Sequence, residues 1–157
     1  MITEKNISKE IIWKWLEEIP DPEIPVLSIV DLGIVKNVIV NDNRVEIIIT
    51  STYSGCPAMD MIKINIKMTM AKYGLQQLKI TEQLSPAWTT DWMNEEARQK
   101  LIAYGIAPPL LKNEHSVKCP QCHSTNTRLI SQFGSTPCKS LYQCNDCKEP
   151  FDYFKCH

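Results

Sequence analysis

The sequence lacks several features that would assign it to a common class of protein. Its apolar runs are only a few residues long, far short of the roughly 20 residues that a membrane-spanning helix needs. It contains no Gly-rich dinucleotide fingerprint and no Glu-x-x-His pair of the kind that holds a di-iron site. Its Lys and Arg residues form no basic stripe, which disfavours a nucleic-acid partner. The chain therefore lacks the equipment for membrane insertion, hydride transfer or oxygen activation.

Composition is that of an ordinary globular protein. The 157 residues are 43% apolar and 22% charged. A chain of this size and composition can form one domain with a hydrophobic core and a second, smaller domain. Residues 1–114 carry 12 Lys and Arg against 15 Asp and Glu, whereas residues 115–157 carry 5 against 3. The first residues lack the basic and then apolar pattern of a signal peptide. We expect a cytoplasmic protein whose cysteines bind metal or take part in redox chemistry rather than form structural disulfide bonds.

Apolar periodicity predicts a small α+β domain over residues 1–84. Ser8 is a candidate N-cap for the first helix and Pro20 ends that helix, while Gly74 caps the second. The order helix, strand, strand, helix, strand predicts a small mixed sheet with helices on one face. The predicted elements are a helix over 8–19, strands over 34–40 and 44–50, a helix over 58–73 and a strand over 78–84.

Residues 85–114 form a separate segment that Trp and Pro residues bracket. A short helix is predicted over 94–104, with Thr90 or Asp91 as its cap. Trp88 and Trp92 are typical of core or interface anchors rather than of a ligand site. The segment either packs on the sheet or joins two protomers.

Cys56 is the candidate reactive group of the first domain. It follows a predicted strand and a small polar loop, and Pro57 suits the first turn of the next helix. The positive end of a helix dipole favours a thiolate, which is a better nucleophile or metal ligand than a thiol. The alternative is a small buried apolar residue. Catalysis by Cys56 itself is disfavoured because all three His residues lie at 115 or later, so none in this domain could activate it.

Six of the seven cysteines fall in residues 115–157, and four of these form two Cys-x-x-Cys pairs. The pairs are Cys119 with Cys122 and Cys144 with Cys147, and 21 residues separate the inner two. Two such turns that meet across a hairpin supply the four thiolates that zinc prefers, so this region is predicted to be a four-cysteine zinc ribbon. Iron or an iron–sulfur cluster is the alternative occupant. Cys138 and Cys156 remain as buried thiols, a redox pair or part of a second metal site.

Two groups of motifs resemble known families. Asp21-Pro-Glu-Ile-Pro25, the segment 29–33, Thr52 and Cys56-Pro57 resemble the small domain of SufT-like iron–sulfur assembly factors. Trp88-Thr-Thr-Asp-Trp92, the segment 104–109, both cysteine pairs and the tail 144–156 resemble the D component of phenylacetyl-CoA epoxidase, the PaaD family. The resemblance covers essentially the whole chain.

The resemblance implies an accessory or maturation factor for a multicomponent epoxidase of aerobic phenylacetate breakdown. Such a factor assists assembly of iron or iron–sulfur centres, carries zinc in its ribbon, and has oxygenase or reductase subunits as partners. A homodimer is a further possible partner, which the resemblance does not imply. Cys56 is then the cluster-handling thiol, alone or from two protomers. The resemblance makes Asp21, Glu23, Asp31 and Thr52 supporting positions, whereas the residues alone predict solvated loop charges for Asp21 and Glu23. An interaction subunit with no metal-transfer role is the alternative function, and a nucleic-acid-binding ribbon is disfavoured by the near-neutral charge.

Overall fold

The structure, a computed structural model, describes residues 7–42, 44–52 and 55–155. The chain forms two compact units, residues 1–92 and 93–157. Within the described ranges, no helix is both long and apolar enough to cross a membrane. The predicted segment 85–114 is divided between the two units, because its first eight residues belong to the first unit.

The first unit is a three-stranded mixed sheet with two helices. Strand β2 lies between β1, to which it is antiparallel, and β3, to which it is parallel. Alternate residues of β2 are buried, which gives the sheet one covered face. The elements are α1 (Lys9–Glu17), β1 (Val35–Asn41), β2 (Arg44–Ile49), α2 (Ala58–Lys72) and β3 (Leu78–Glu82). The α+β class and the mixed sheet predicted from the sequence are confirmed.

The two helices pack beside each other. The ring of Trp15 in α1 stacks on that of Tyr73 at the end of α2, with a centroid distance of 4.4 Å and an angle of 2° between the rings. The Tyr73 hydroxyl donates to the Glu18 carboxylate at 2.7 Å. The inner face of α2 buries Ile62 and Ile66. Both helices therefore cover the same face of the sheet, as the sequence predicts.

Trp88 fixes the end of the first unit. Its side chain is buried and its Nε1 donates to the Leu32 carbonyl at 2.7 Å. Gly33 follows with a φ of +72°, and Trp92 packs directly against it. The Lys36 ammonium lies 3.1 Å from the centroid of the Trp92 ring. Of the two roles expected for the tryptophans, the structure has them pack within their own unit.

The second unit is a four-stranded sheet with one helix. Strand order is β4-β7-β6-β5, in which β4 is parallel to β7 and the other pairs are antiparallel. Its buried core contains Ala107, Val117 and Phe151 together with two of the cysteines. The elements are α3 (Glu95–Ala103), β4 (Ile106–Ala107), β5 (Thr127–Ser131), β6 (Lys139–Cys144) and β7 (Pro150–Phe154). The ribbon sheet thus includes β4, which the proposed boundary at residue 115 leaves outside.

The structure confirms one of the predicted helix caps and corrects another. Ser8 caps α1 as predicted, since its side chain accepts from the Ile11 N–H. The cap of α3 is Asn94, whose side chain accepts from the Ala97 N–H at 2.7 Å, and not Thr90 or Asp91. Those two residues belong instead to a short 3-10 turn that ends at residue 92. Gly74 has a φ of +85° and lies one residue beyond the C-cap of α2.

We expect Gly33→Ala to destabilise the first unit more than Gly74→Ala does. Both positions have a positive φ, so alanine costs about 1–2 kcal/mol of backbone strain at each. At Gly33 a new Cβ would also lie 2.9 Å from the Trp92 Cβ and 3.2 Å from its carbonyl oxygen, whereas at Gly74 it meets no atom within 4 Å. Overpacking should add about 1–3 kcal/mol at Gly33 alone.

Urea unfolding followed by tryptophan fluorescence measures this difference. All four tryptophans lie in residues 1–92, so the signal reports on the first unit only. Equal losses of unfolding free energy in the two variants would contradict the close approach of Gly33 to Trp92.

Candidate metal centre and cysteine site

The four cysteines of the two pairs converge at one point of the second unit. Their Sγ atoms all lie within 4.8 Å of one another, with 3.7 Å between Cys119 and Cys147 and 3.5 Å between Cys122 and Cys144. A tetrahedral metal with metal–sulfur bonds of about 2.3 Å holds its sulfurs about 3.8 Å apart. The observed separations fit that geometry, so the thiols form a candidate metal site.

Each cysteine pair forms the same local turn. The residue that follows each pair, His123 or Lys148, adopts a left-handed backbone, with φ values of +63° and +69°. The N–H of the first cysteine of each pair donates to the carbonyl five residues on, at 2.9 and 3.0 Å. These two turns aim both thiols of a pair to one side, which is why the Cys-x-x-Cys spacing is a local signal.

An exposed hydrogen-bond network joins the two turns. The Asp146 carboxylate accepts from the Ser124 hydroxyl and from the Asn126 side-chain amide. The Asn145 N–H donates to the Asn126 carbonyl at 2.8 Å. The Ser124 and Asn126 hydrogen bonds lower the pKa of Asp146, so the link is made by a carboxylate at neutral pH. This link was not predicted from the sequence, although short polar residues beside both cysteine pairs are the signal for it.

The thiols do not ionise equally. The Cys147 N–H donates to the sulfur of Cys144 and holds the pKa of that thiol at about 7. At Cys147 the Glu149 N–H lowers the pKa, but desolvation and the neighbouring thiols raise it to about 12. At Cys122 the Ser124 N–H also lowers the pKa, and Cys144 raises it above its ordinary value. A bound cation is therefore needed to hold several thiolates together.

Cys56 lies where the sequence places it, in the loop between β2 and α2. Its side chain is partly exposed, and its carbonyl accepts from the Met59 N–H at 3.2 Å. Pro57 is the N-cap of α2, so no side chain caps this helix. Thr50 and Ser51, at the start of the loop, are buried. The thiol thus stands at the uncapped N-terminus of a 15-residue helix.

The acidic candidates build the loop between α1 and β1. The Asp21 carboxylate accepts from the N–H groups of Glu23 and Ile24 at 2.9 and 2.8 Å. Asp31 and Ser28 exchange hydrogen bonds, each side chain accepting from the other's N–H at 3.0 Å. Asp21 is only 6% exposed and Asp31 only 8%. The expectation of a solvated loop charge is therefore wrong for Asp21, because backbone N–H groups compensate its burial.

The remaining candidates are more peripheral. Glu23 and Thr52 are partly exposed. Cys138 is buried, and its sulfur lies 3.0 Å from the Thr136 hydroxyl oxygen. Cys156 lies outside the described residues, so the roles expected for the two cysteines, as buried thiols, a redox pair or part of a second metal site, stay predictions.

Two known protein families match successive parts of the chain. The family described as iron–sulfur cluster assembly protein matches residues 9–75, and the PaaD zinc beta ribbon domain matches residues 107–155. The first match contains Cys56, and the second contains the four-thiol cluster.

One relative matches nearly the whole chain, and two others match part of it. A protein of Escherichia coli strain K12, described provisionally as the D component of 1,2-phenylacetyl-CoA epoxidase, is 51% identical over 92% of this chain and 91% of its own length. An Fe-S protein maturation auxiliary factor of Porphyromonas gingivalis is 38% identical over 60% of this chain and 90% of its own. The factor YitW of Bacillus subtilis is 38% identical over 62% and 94%.

Solved structures resemble a part of the fold. The DUF59 domain from Bacillus anthracis matches with a TM-score of 0.56 and 26% identity, over 59% of this chain and 90% of its own. A conserved hypothetical protein from Thermotoga maritima matches with a TM-score of 0.53 and 28% identity, over 62% and 96%. The fold of the assembly-domain family is thus shared, and the ribbon is additional to it.

We expect Cys122→Ser to abolish tight zinc binding, and Cys56→Ser to leave it unchanged. Cys122 is exposed, so its replacement removes a ligand without disturbing the core. Zinc content should fall from about one per chain towards zero, because three thiolates do not close the site. The measurement is metal analysis of the purified variants. Full zinc in Cys122→Ser, or its loss in Cys56→Ser, would contradict this assignment.

Zinc affinity should also depend steeply on pH. At pH 8 the thiol of Cys144 is ionised above its pKa of about 7, whereas Cys122 and Cys147 stay protonated because their pKa values are raised. Zinc must displace at least these two protons, so its affinity should fall at least about 100-fold per pH unit of acidification. Below pH 7 the slope should steepen as Cys144 takes up a third proton. Chelator competition from pH 6 to about 8 measures the slope, and a pH-independent affinity would exclude thiolate ligation.

Proposed function

This chain belongs to the PaaD family, that of the 1,2-phenylacetyl-CoA epoxidase D component, and on that premise we propose that it is an accessory factor in assembly of the epoxidase's iron or iron–sulfur centres. The observation that carries the proposal is the placement of Cys56, a partly exposed thiol at the N-terminus of α2 inside the region that matches iron–sulfur assembly proteins. The matched relatives named as Fe-S maturation factors support it.

Cys56 is the group that handles the metal cargo. A thiolate is a soft ligand for iron, and the unsatisfied N–H groups at the start of α2 favour the negative charge of a thiolate or of a thiolate-bound cluster. Partial exposure lets cargo arrive and leave, which a fully buried thiol would prevent. In this proposal Asp21 and Asp31 do not bind the cargo. Their role is to position the loop that precedes β1, which their hydrogen bonds fix.

The ribbon holds a resident zinc ion rather than cargo. Cys119, Cys122, Cys144 and Cys147 would ligate it, and zinc would supply charge neutralisation for four thiolates. Separations below 4.8 Å suit a single ion, whereas an iron–sulfur cluster would hold its thiolates farther apart around several irons. Two of these cysteines are core residues, which suits a structural metal.

The ribbon also offers a docking surface for a client. Strand β5 lies at the edge of its sheet, and Leu129, Ile130 and Phe133 are 47%, 49% and 66% exposed. The oxygenase or reductase subunits of the epoxidase are the proposed partners, in line with the name of the Escherichia coli relative. The same surface favours a second candidate function, an interaction subunit that holds the complex together without transferring metal.

The Cys56→Ser variant separates the two functions. Co-expression of the oxygenase and reductase with this variant should give an epoxidase depleted in iron or acid-labile sulfide, with activity at least about tenfold lower, because a hydroxyl binds iron far more weakly than a thiolate. Metal analysis and turnover of the purified epoxidase provide the measurement. Cys138→Ser is the matched control, since it replaces a buried cysteine that belongs to neither site.

Full epoxidase activity with Cys56→Ser would overturn the maturation role. If that variant also stayed bound to the oxygenase through purification, the interaction-subunit function would be favoured instead.

A further inference from the structure

We propose that the outer face of α2 is a two-fold symmetric interface between two copies of this chain. Met61, Ile64 and Met68 follow one another at helical spacing along this face and are 50%, 50% and 66% exposed. Residues three and seven positions apart lie on the same side of a helix, so the three side chains form one apolar stripe. We call this set the outer stripe.

The outer stripe is not needed to attach α2 to its own sheet. That task belongs to the opposite side of the helix, where Met59, Ile62, Ile66 and Met70 are buried. An amphipathic helix that only covered a sheet would carry polar residues outside. Helix α2 is instead apolar on two sides. The three exposed apolar residues of the outer stripe indicate that this side contacts a second partner.

The outer stripe is complementary to itself when two α2 helices run antiparallel about Ile64. A two-fold axis at this residue places Met61 of one copy against Met68 of the other and brings the two Ile64 side chains together at the centre. An isologous interface requires this kind of self-complementary pattern. Methionine at both ends suits such a contact, because its flexible side chain adapts to the opposing surface.

Charged residues along one edge of the outer stripe match the same arrangement. Asp60 and Lys67 are exposed and seven residues apart, so they lie on one edge of the helix, next to the two ends of the outer stripe. The two-fold axis brings Asp60 of each copy close to Lys67 of the other. Neighbouring lysines on α2 already have carboxylate partners, since Lys63 lies 2.8 Å from Glu82 and Lys72 lies 3.8 Å from Glu18. The edge pairs therefore favour a second copy over an unrelated apolar partner.

The dimer should be weak and concentration-dependent. One helix face per copy buries less surface than the roughly 800 Å² per partner of a standard stable interface. Sedimentation velocity of the full chain with its metal bound, over about 1–200 µM, should show a monomer–dimer equilibrium in the micromolar range.

Substitutions test the symmetry directly. Ile64→Lys puts two ammonium groups at the two-fold axis and should abolish dimerisation, whereas Leu129→Lys, a residue of similar exposure on β5, should not. Asp60→Lys alone and Lys67→Asp alone should each weaken the dimer, because each sets like charges together twice. The double variant Asp60→Lys with Lys67→Asp should restore it, because both edge pairs reform with opposite polarity.

Tryptophan fluorescence establishes that each variant retains the fold of its first unit. A wild-type chain that stays monomeric throughout the concentration range overturns the proposal and leaves the outer stripe to a different protein. Dimerisation that survives Ile64→Lys, or that Leu129→Lys abolishes, overturns it as well, since the interface then lies elsewhere. Failure of the double variant to recover affinity overturns the antiparallel arrangement.

Discussion

The second unit depends on the close approach of the four thiols that its fold brings together. Cys119 and Cys144 are fully buried in the small core with Val117 and Phe151. The residues that pack around these two sulfurs are therefore also the core of the sheet. Without a cation, raised thiol pKa values keep the cluster largely protonated and limit its cohesion to packing and hydrogen bonds. A bound metal converts this crowding into four bonds, and its binding free energy becomes folding free energy in a unit with little core of its own.

In the first unit, buried carboxylates hold the irregular segment between α1 and β1. Asp21 accepts hydrogen bonds from two backbone N–H groups, and Asp31 closes a turn with Ser28. Trp88 then ties the Leu32 carbonyl to the end of the unit. These contacts fix the segment that precedes β1, whereas Cys56 is partly exposed at the N-terminus of α2.

Sequence patterns predicted the features that depend on residues close together in the chain. They missed the features that depend on contacts between distant residues. The Cys-x-x-Cys spacing found the metal ligands because each pair is one turn, and apolar periodicity found α1 and β2. Strand β4 escaped prediction because two residues carry no pattern and its partner β7 lies more than 40 residues on. The burial of Asp21 escaped because backbone N–H groups that satisfy a carboxylate leave no mark on composition, and Asn94 was missed because a 3-10 turn occupied the expected cap.

The proposed dimer bears on how Cys56 would act, on the premise that Cys56 handles cargo. In an antiparallel α2 pair centred on Ile64, each Cys56 lies near the C-terminal end of the other copy's α2. Eight residues on each side of the centre at 1.5 Å per residue separate the two thiols by roughly 24 Å. One cluster cannot span that distance, so the two-protomer form of the cluster-handling hypothesis is incompatible with this dimer. Each Cys56 would work alone, completed by ligands from a client rather than by its symmetry mate.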